Sequence, residues 1–138
     1  MIDKVFIDSN IWLYALIQIK GDPEKSLKAK VCIDTADSIV ISTQVVNEVC
    51  VNLMRKGNKD TAFINQFIHD FVSTYNVINQ TKDDLISAVS IRHDYHFSYW
   101  DSLIIASALQ SKCEVLYSED MRHGLNIYNQ LSICNPLL

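Results

Sequence analysis

The segment from Leu103 to Leu109 constrains the fold more than any other part of the chain. All of its residues are apolar except one small serine, Ser107. A helix that is apolar on every face belongs in the interior of a protein. Asp101 lies in the first turn of this segment, and no Lys or Arg lies three or four residues from it on either side. A buried carboxylate is costly unless it is capped, paired or bound to a metal, so its partners must come from elsewhere in the sequence.

The composition limits the classes of protein to which this chain can belong. Its 138 residues are 49% hydrophobic with only three glycines, so we expect one compact domain over residues 1–138. The apolar runs are too short to cross a bilayer, and the N-terminus lacks the features of a signal peptide. We therefore expect a cytoplasmic protein without membrane contact. The net charge of −4 disfavours a protein that simply coats phosphate, but not an enzyme that gathers acids around a metal ion.

The cysteines and histidines predict no zinc site. Structural zinc uses closely spaced ligand pairs, whereas the cysteines are far apart and include no CxxC motif. We expect reduced, buried thiols instead. His93 and His96 lie three residues apart, but at a predicted helix end, where we expect no metal binding. The four cysteines are Cys32, Cys50, Cys113 and Cys134.

Strand-like and helix-like segments alternate along the chain. We predict strands at residues 4–8, 38–42, 75–78 and 113–117, and a small further strand within 125–134. Helical segments separate them. This order predicts an α/β fold with a mainly parallel sheet of four to five strands, covered by helices on both faces.

Apolar spacing indicates which helix faces turn inward. In the helix that begins near Pro23, we expect Leu27 and Val31 to be buried, with Ala29 and Ile33 as further candidates for the inward face. The helix after Asp60 has an apolar face of five residues that we expect to lie inward. These residues are Phe63, Ile64, Phe67, Ile68 and Phe71.

Four acids have a route to one edge of the predicted sheet. Asp8 and Asp120 follow strands at their carboxyl ends, where ligands bind in open α/β sheets. Asp101 begins the helix that precedes the last of these strands. Glu48 lies near the start of the helix after the second strand, with no basic residue one turn away. Each acid alone has an ordinary explanation, such as a turn, a helix terminus or a pair with Arg122, so the prediction depends on their convergence.

Convergence of these acids would create a site for a hard divalent cation. Two carboxylates about 4 Å apart repel by roughly 4 kcal/mol at an effective dielectric constant near 20. Such a cluster needs protons or a cation. Oxygen ligands without thiolate or paired imidazole select Mg²⁺ or Mn²⁺. In an acidic cleft these ions activate water and bind the phosphate during an in-line displacement.

Four segments resemble the motifs of the PIN domain family, in the family's order, and together they cover essentially the whole chain. The resemblance implies a three-layer α/β/α sandwich and a metal-dependent endoribonuclease that prefers single-stranded RNA. The segments are VFIDSN at 5–10, STQVVNEV at 42–49, FSYWDSLIIASA at 97–108 and LYSEDM at 116–121.

The resemblance also implies the site residues. The family's acids map onto Asp8, Glu48, Asp101 and Asp120, which would hold Mg²⁺ or Mn²⁺. Its small polar residues near the metal map onto Ser9 or Asn10 and onto Ser118.

One position departs from the family pattern. Many relatives carry a further acid three residues after the position of Asp120, where this chain has His123. The number of metal ions, one or two, is therefore open, and Glu119 competes with Asp120 as the fourth acid. His123 is either a surface imidazole or a contact to the substrate phosphate.

A stand-alone PIN domain of this length resembles the VapC-type toxins of bacterial toxin–antitoxin pairs. The resemblance implies an RNA substrate, a cognate antitoxin that occupies the active cleft, and a homodimer. Two alternatives are a PIN-fold nuclease without an antitoxin and a catalytically weak PIN module that binds RNA or protein. Trp12 and Trp100 flank Asp8 and Asp101 in the sequence, and we expect both to pack in the core rather than stack on bases.

Overall fold

The computed structural model describes residues 3–17 and 22–138. Strands and helices alternate through most of these residues, as the sequence predicts. In chain order the elements are β1 (Lys4–Ile7), α1 (Ser9–Leu16), α2 (Pro23–Thr35), β2 (Ser38–Ser42), α3 (Thr43–Arg55), α4 (Thr61–Thr74), β3 (Asn76–Ile78), α5 (Lys82–Tyr95), α6 (Tyr99–Gln110), β4 (Val115–Tyr117), β5 (Asn126–Ile127) and β6 (Leu131–Cys134).

The strands form one sheet in the order β3-β2-β1-β4-β6-β5. All neighbours are parallel except β5 and β6, which are antiparallel. The predicted α/β fold with a mainly parallel sheet flanked by helices is confirmed. Since β1 lies between β2 and β4, the carboxyl ends of these strands share one edge of the sheet, and the loops that follow them lie side by side.

The sheet has six strands rather than four to five, because residues 126–134 form a hairpin instead of a single strand. The turn has positive φ angles at Tyr128 (51°) and Asn129 (58°), and the N–H of Gln130 donates to the carbonyl oxygen of Ile127 at 2.9 Å. Positive φ at both central residues is the feature of a type I′ hairpin turn. The sequence lacks the usual Asn-Gly signal, because Tyr128 occupies the first of these positions.

The helix α6 is buried as predicted, and every residue from Ser102 to Ala108 is in the interior. Trp12 is also in the core, where its indole N–H donates to the carbonyl oxygen of Ile7 at 3.0 Å and its ring lies edge-on to Phe71 and Tyr75.

The four cysteines are free thiols; three are buried and Cys134 is partly exposed. Among the described helices, none is long and apolar enough to span a membrane.

Two helices bury only some of the residues that the sequence predicts to lie inward. Leu27 is 63% exposed and Val31 is also exposed, whereas α2 buries the smaller residues Ser26, Ala29 and Cys32. Small side chains let a helix lie close to its neighbours, and this close approach outweighs the apolar spacing of the larger residues. On α4, Ile64 and Phe71 are buried and Phe67 is partly buried, but Phe63 and Ile68 are exposed.

Candidate active site

Asp8 lies at the carboxyl end of the central strand and caps the helix that follows it. Its Oδ1 accepts the backbone N–H of Ser9 at 2.8 Å, and its Oδ2 accepts the hydroxyl of Ser118 at 2.9 Å. The residue is 5% exposed. Burial raises the pKa of Asp8 to about 7; the two hydrogen bonds oppose this rise, and the charges of Glu48 and Asp101 add to it.

Glu48 projects from α3 toward the same edge and is partly buried. Its Oε2 accepts the hydroxyl of Ser9 at 2.6 Å, and its Oε1 accepts the side-chain amide of Gln44 at 3.0 Å. Both oxygens are therefore held by neutral donors. No Lys or Arg within residues 3–17 and 22–138 forms an ion pair with this carboxylate.

Asp101 lies in the first turn of α6, where Ser98 caps the helix by accepting the N–H of Asp101 at 3.1 Å. Burial raises the pKa of Asp101, and the carboxylates of Asp120 and Glu48 raise it further, while the Ser98 side chain, acting on the carboxyl group, lowers it. The charge of Asp101 also adds to the effect of burial in raising the pKa of Asp8. Asp101 therefore interacts electrostatically with each of the other three predicted acids.

The two neighbouring acids after β4 have different partners. Asp120 is exposed, and its Oδ2 accepts the side-chain amide of Asn10 at 3.0 Å. Glu119 accepts the ammonium group of Lys25 at 2.7 Å and the hydroxyl of Tyr14 at 2.9 Å. Glu119 is therefore paired with a lysine of the chain, whereas the side-chain partner of Asp120 is the neutral amide of Asn10.

The predicted small polar residues each donate a hydrogen bond to a different acid. Ser118 donates to Asp8, Ser9 donates to Glu48 and Asn10 donates to Asp120. The carbonyl oxygen of the Asn10 amide accepts the backbone N–H of Glu119 at 3.3 Å, which fixes the direction of this amide. These three side chains therefore orient the carboxylates of the cleft.

His123 lies on an exposed turn, outside the hydrogen bonds of the four acids. Its Nδ1 accepts the backbone N–H of Asn135 at 3.0 Å, which sets the orientation of the ring. Trp100 is 66% exposed, and the expectation that it packs in the core is wrong. It occupies the first turn of α6, ahead of the part of the helix that enters the interior.

Sequence reasoning missed two further residues of this region, Gln44 and Gln80. Gln44 lies four residues before Glu48 on α3, which is the spacing of side chains that meet on a helix surface, so this signal was available. Gln80 follows β3, and its amide donates to Gln44 at 2.6 Å. Nothing in the local sequence marks Gln80, because its partner lies 36 residues away.

The donor set of the cleft is suited to a hard divalent cation. Asp8, Glu48, Asp101 and Asp120 provide only oxygen atoms, and within the described part of the chain none of the four pairs with Lys or Arg. In residues 3–17 and 22–138, no three acidic, His or Cys side chains are arranged around a common centre. The carboxylates are instead turned toward the donors Ser9, Asn10 and Ser118.

Comparisons with solved structures identify the fold. A toxin–antitoxin complex from Klebsiella pneumoniae contains a chain that is 22% identical, with a TM-score of 0.70, over 96% of this chain and 97% of that one. The toxin VapC20 from Mycobacterium tuberculosis, which cleaves the sarcin–ricin loop, is 19% identical, with a TM-score of 0.68, over 84% and 89% of the two chains. VapBC2 from Rickettsia felis, bound to a promoter DNA fragment, contains a chain that is 17% identical, with a TM-score of 0.66, over 96% and 98%.

The sequence itself matches one family. No curated protein matches it at a significant level. The family model described as PIN domain matches residues 5–124, which include all four acids of the cleft. The chain therefore belongs to the PIN domain family.

Proposed function

We propose that this protein is an endoribonuclease that hydrolyses single-stranded RNA and depends on Mg²⁺ or Mn²⁺. The observation that carries this proposal is a set of carboxylates at one sheet edge that accept hydrogen bonds from neutral donors: Ser118 donates to Asp8, Ser9 to Glu48 and Asn10 to Asp120. The charges of Asp120 and Glu48 add to the effect of burial in raising the pKa of Asp101. The protein gathers like charges there, and such a set of carboxylates favours a bound cation. Its membership of the PIN domain family supports the same proposal.

Asp8, Asp101 and Asp120 would hold the cation, and Glu48 would complete the set. A divalent cation there supplies a Lewis acid that lowers the pKa of water and offsets the charge of the scissile phosphate. The chain contributes orientation: Ser118 and the N–H of Ser9 hold Asp8, and Asn10 holds Asp120.

The proposed role of Glu48 follows from its hydrogen bonds. Both of its oxygens accept a hydrogen bond from a neutral donor, so its carboxylate has a fixed direction and lone pairs left over to align the attacking water. In-line attack on the phosphodiester would then leave a 5′-phosphate and a 3′-hydroxyl.

We further propose that the protein acts in the cytoplasm as the toxin of a type II toxin–antitoxin pair, as a homodimer that a cognate antitoxin inhibits. The support is the likeness of its fold to chains in toxin–antitoxin complexes, over nearly the full length of both chains. Expression with and without the product of a neighbouring reading frame tests this proposal. Growth arrest that the neighbour relieves supports it, and unchanged growth without the neighbour contradicts it.

Cleavage of a fluorescent single-stranded RNA with Mn²⁺ tests the nuclease proposal directly. Asp8→Asn and Asp101→Asn should lower the rate at least about 100-fold without loss of the fold, since each removes a proposed ligand. The neighbours Asp120 and Glu119 form a matched pair: Asp120→Asn should be nearly inactive, whereas Glu119→Gln, which breaks only the pair with Lys25, should retain most activity. Full activity of Asp8→Asn would refute the assignment, and equal losses at 119 and 120 would refute the choice of fourth acid.

A further inference from the structure

Two hydrogen-bonded amide side chains connect the loop after the edge strand β3 to Glu48. Gln80, in the loop between β3 and α5, donates through Nε2 to Oε1 of Gln44 at 2.6 Å. Gln44 in turn donates through its own Nε2 to Oε1 of Glu48 at 3.0 Å. The second oxygen of Glu48 accepts from Ser9, so the carboxylate is held from both sides.

Gln80 determines which way the Gln44 amide points. Because Oε1 of Gln44 accepts from Gln80, its NH₂ group must face the opposite side, where Glu48 and the carbonyl oxygen of Trp100 both accept from it. A reversed Gln44 amide would set two NH₂ groups against each other and an oxygen against the carboxylate. The direction of both amides is therefore fixed by complementarity of donors and acceptors.

The same amides join the two helices that carry acids. Gln44 binds the backbone of Trp100 at 3.2 Å, one residue before Asp101, and Gln80 donates to the hydroxyl of Ser107 on α6 at 3.3 Å. Gln44 thus ties α3 to the first turn of the buried helix α6, and Gln80 ties the loop after β3 to its third turn. Without them, repulsion between the carboxylates of Glu48 and Asp101 would favour their separation.

We propose that Gln44 and Gln80 are positioning residues, which hold the Glu48 carboxylate at a fixed direction and distance from Asp101. This inference rests on the proposed nuclease function and assigns two residues to it. Neither glutamine contacts the reacting atoms in this arrangement; both act through Glu48.

Substitution of Gln80 tests the proposal away from the acids themselves. Gln80→Leu and the smaller Gln80→Ala should lower kcat about tenfold with little change in KM for RNA, and should weaken Mn²⁺ binding, measured by electron paramagnetic resonance, by about three- to tenfold. Gln80→Glu, although isosteric, should be at least as damaging as Gln80→Leu. A carboxylate can only accept, so it would turn the Gln44 amide and direct an oxygen at Glu48.

The matched control is Gln66→Leu on α4. Gln66 donates to an acid four residues later, Asp70, at 3.0 Å, which repeats the Gln44–Glu48 geometry on an exposed helix. This variant should keep the parent kcat and Mn²⁺ affinity. Thermal unfolding of every variant identifies those that fail to fold, and the comparison is made among the folded variants.

A double-variant cycle separates positioning from a general structural role. In a Glu48→Ala background, Gln80→Leu should not weaken Mn²⁺ binding further, because the group through which Gln80 acts is gone. An equal loss in both backgrounds, or a milder effect of Gln80→Glu than of Gln80→Leu, would overturn the proposal.

The outcomes also separate the two proposals. If the parent cleaves RNA and the glutamine variants have the same kcat, the positioning role is refuted while the nuclease function stands. If Mn²⁺ binding follows the expected pattern but no RNA is cleaved, the nuclease function fails alone.

Discussion

The hydroxyl of Ser118 donates to Oδ2 of Asp8 at 2.9 Å across two adjacent parallel strands, although 110 residues separate them in the sequence. Both residues are buried, and each directly follows its strand. The bond therefore fixes the carboxylate on the central strand by means of a neutral donor from its neighbour. This hydrogen bond also lowers the pKa of Asp8, whereas burial of the carboxyl group raises it.

Loss of this donor should impair the site without unfolding the protein. Ser118→Ala is expected to lower the cleavage rate about tenfold at neutral pH, because a hydrogen bond to a charged group contributes about 1.5 kcal/mol or more. The measurement is kcat with Mn²⁺ in excess. Ser73→Ala, which removes a serine hydroxyl bound to the backbone of α4, is the control and should behave as the parent. Identical rates for both variants would show that Ser118 does not orient Asp8.

Removal of the Asp8 charge should stabilise the metal-free protein at alkaline pH. The folded state keeps the proton of Asp8 up to about pH 7, whereas the ordinary pKa is 3.8. The folded state thus binds more protons between these values, and its stability falls as the pH rises through that window. Asp8→Asn does not lose stability in this way. In urea unfolding with EDTA, its free energy of unfolding should exceed that of the parent by on the order of 2 kcal/mol at pH 8 and by almost nothing at pH 4. A lower stability of Asp8→Asn at pH 8 would contradict the burial of this charge.

The two tryptophans should be distinguishable by fluorescence. Trp100 is 66% exposed and Trp12 is 2% exposed, so they provide a solvent-accessible and a buried signal in one chain. Trp100→Phe should shift the emission to shorter wavelength and remove most of the quenching by iodide. Emission that stays quenchable after this substitution would place Trp12, not Trp100, at the surface.

The effect of substitutions on the stability of α2 should depend on which face is buried in the structure, not on the face that the apolar spacing predicts. Leu27→Lys should change the free energy of unfolding by less than about 0.5 kcal/mol, since the side chain is exposed. Ala29→Leu on the same helix should cost about 1–3 kcal/mol, because Ala29 is fully buried and added methyl groups have no space. Thermal and urea unfolding of the two variants provide the comparison, and the reverse order would mean that the helix is rotated.

The position of Asp8 at the sheet edge beside Ser118 could be predicted because it depends on topology rather than on detail. Residues that directly follow neighbouring parallel strands must share a sheet edge, and this rule brings Asp8 close to Ser118. The buried helix α6 was equally predictable, since an apolar surface on all sides leaves no face for solvent.

The missed features depend on packing between distant segments. Leu27 and Val31 fit a helical apolar stripe, yet the smaller Ala29 allows the closer contact. Tyr128 adopts a positive φ angle that its residue type rarely takes, so the hairpin had no turn signal. Gln80 has no local partner, and its role follows only from the position of Gln44 in three dimensions.

The hydrogen bonds from Ser118 to Asp8 and from Asn10 to Asp120 each close a loop of 110 residues. Loop closure of this length has a large entropic cost, so a partly folded chain does not gather these groups. A fragment that ends before residue 118 contains Asp8 and Asn10 but neither Ser118 nor Asp120, their partners after β4. A single proteolytic nick followed by separation of the pieces would therefore leave two inert peptides rather than a smaller working enzyme.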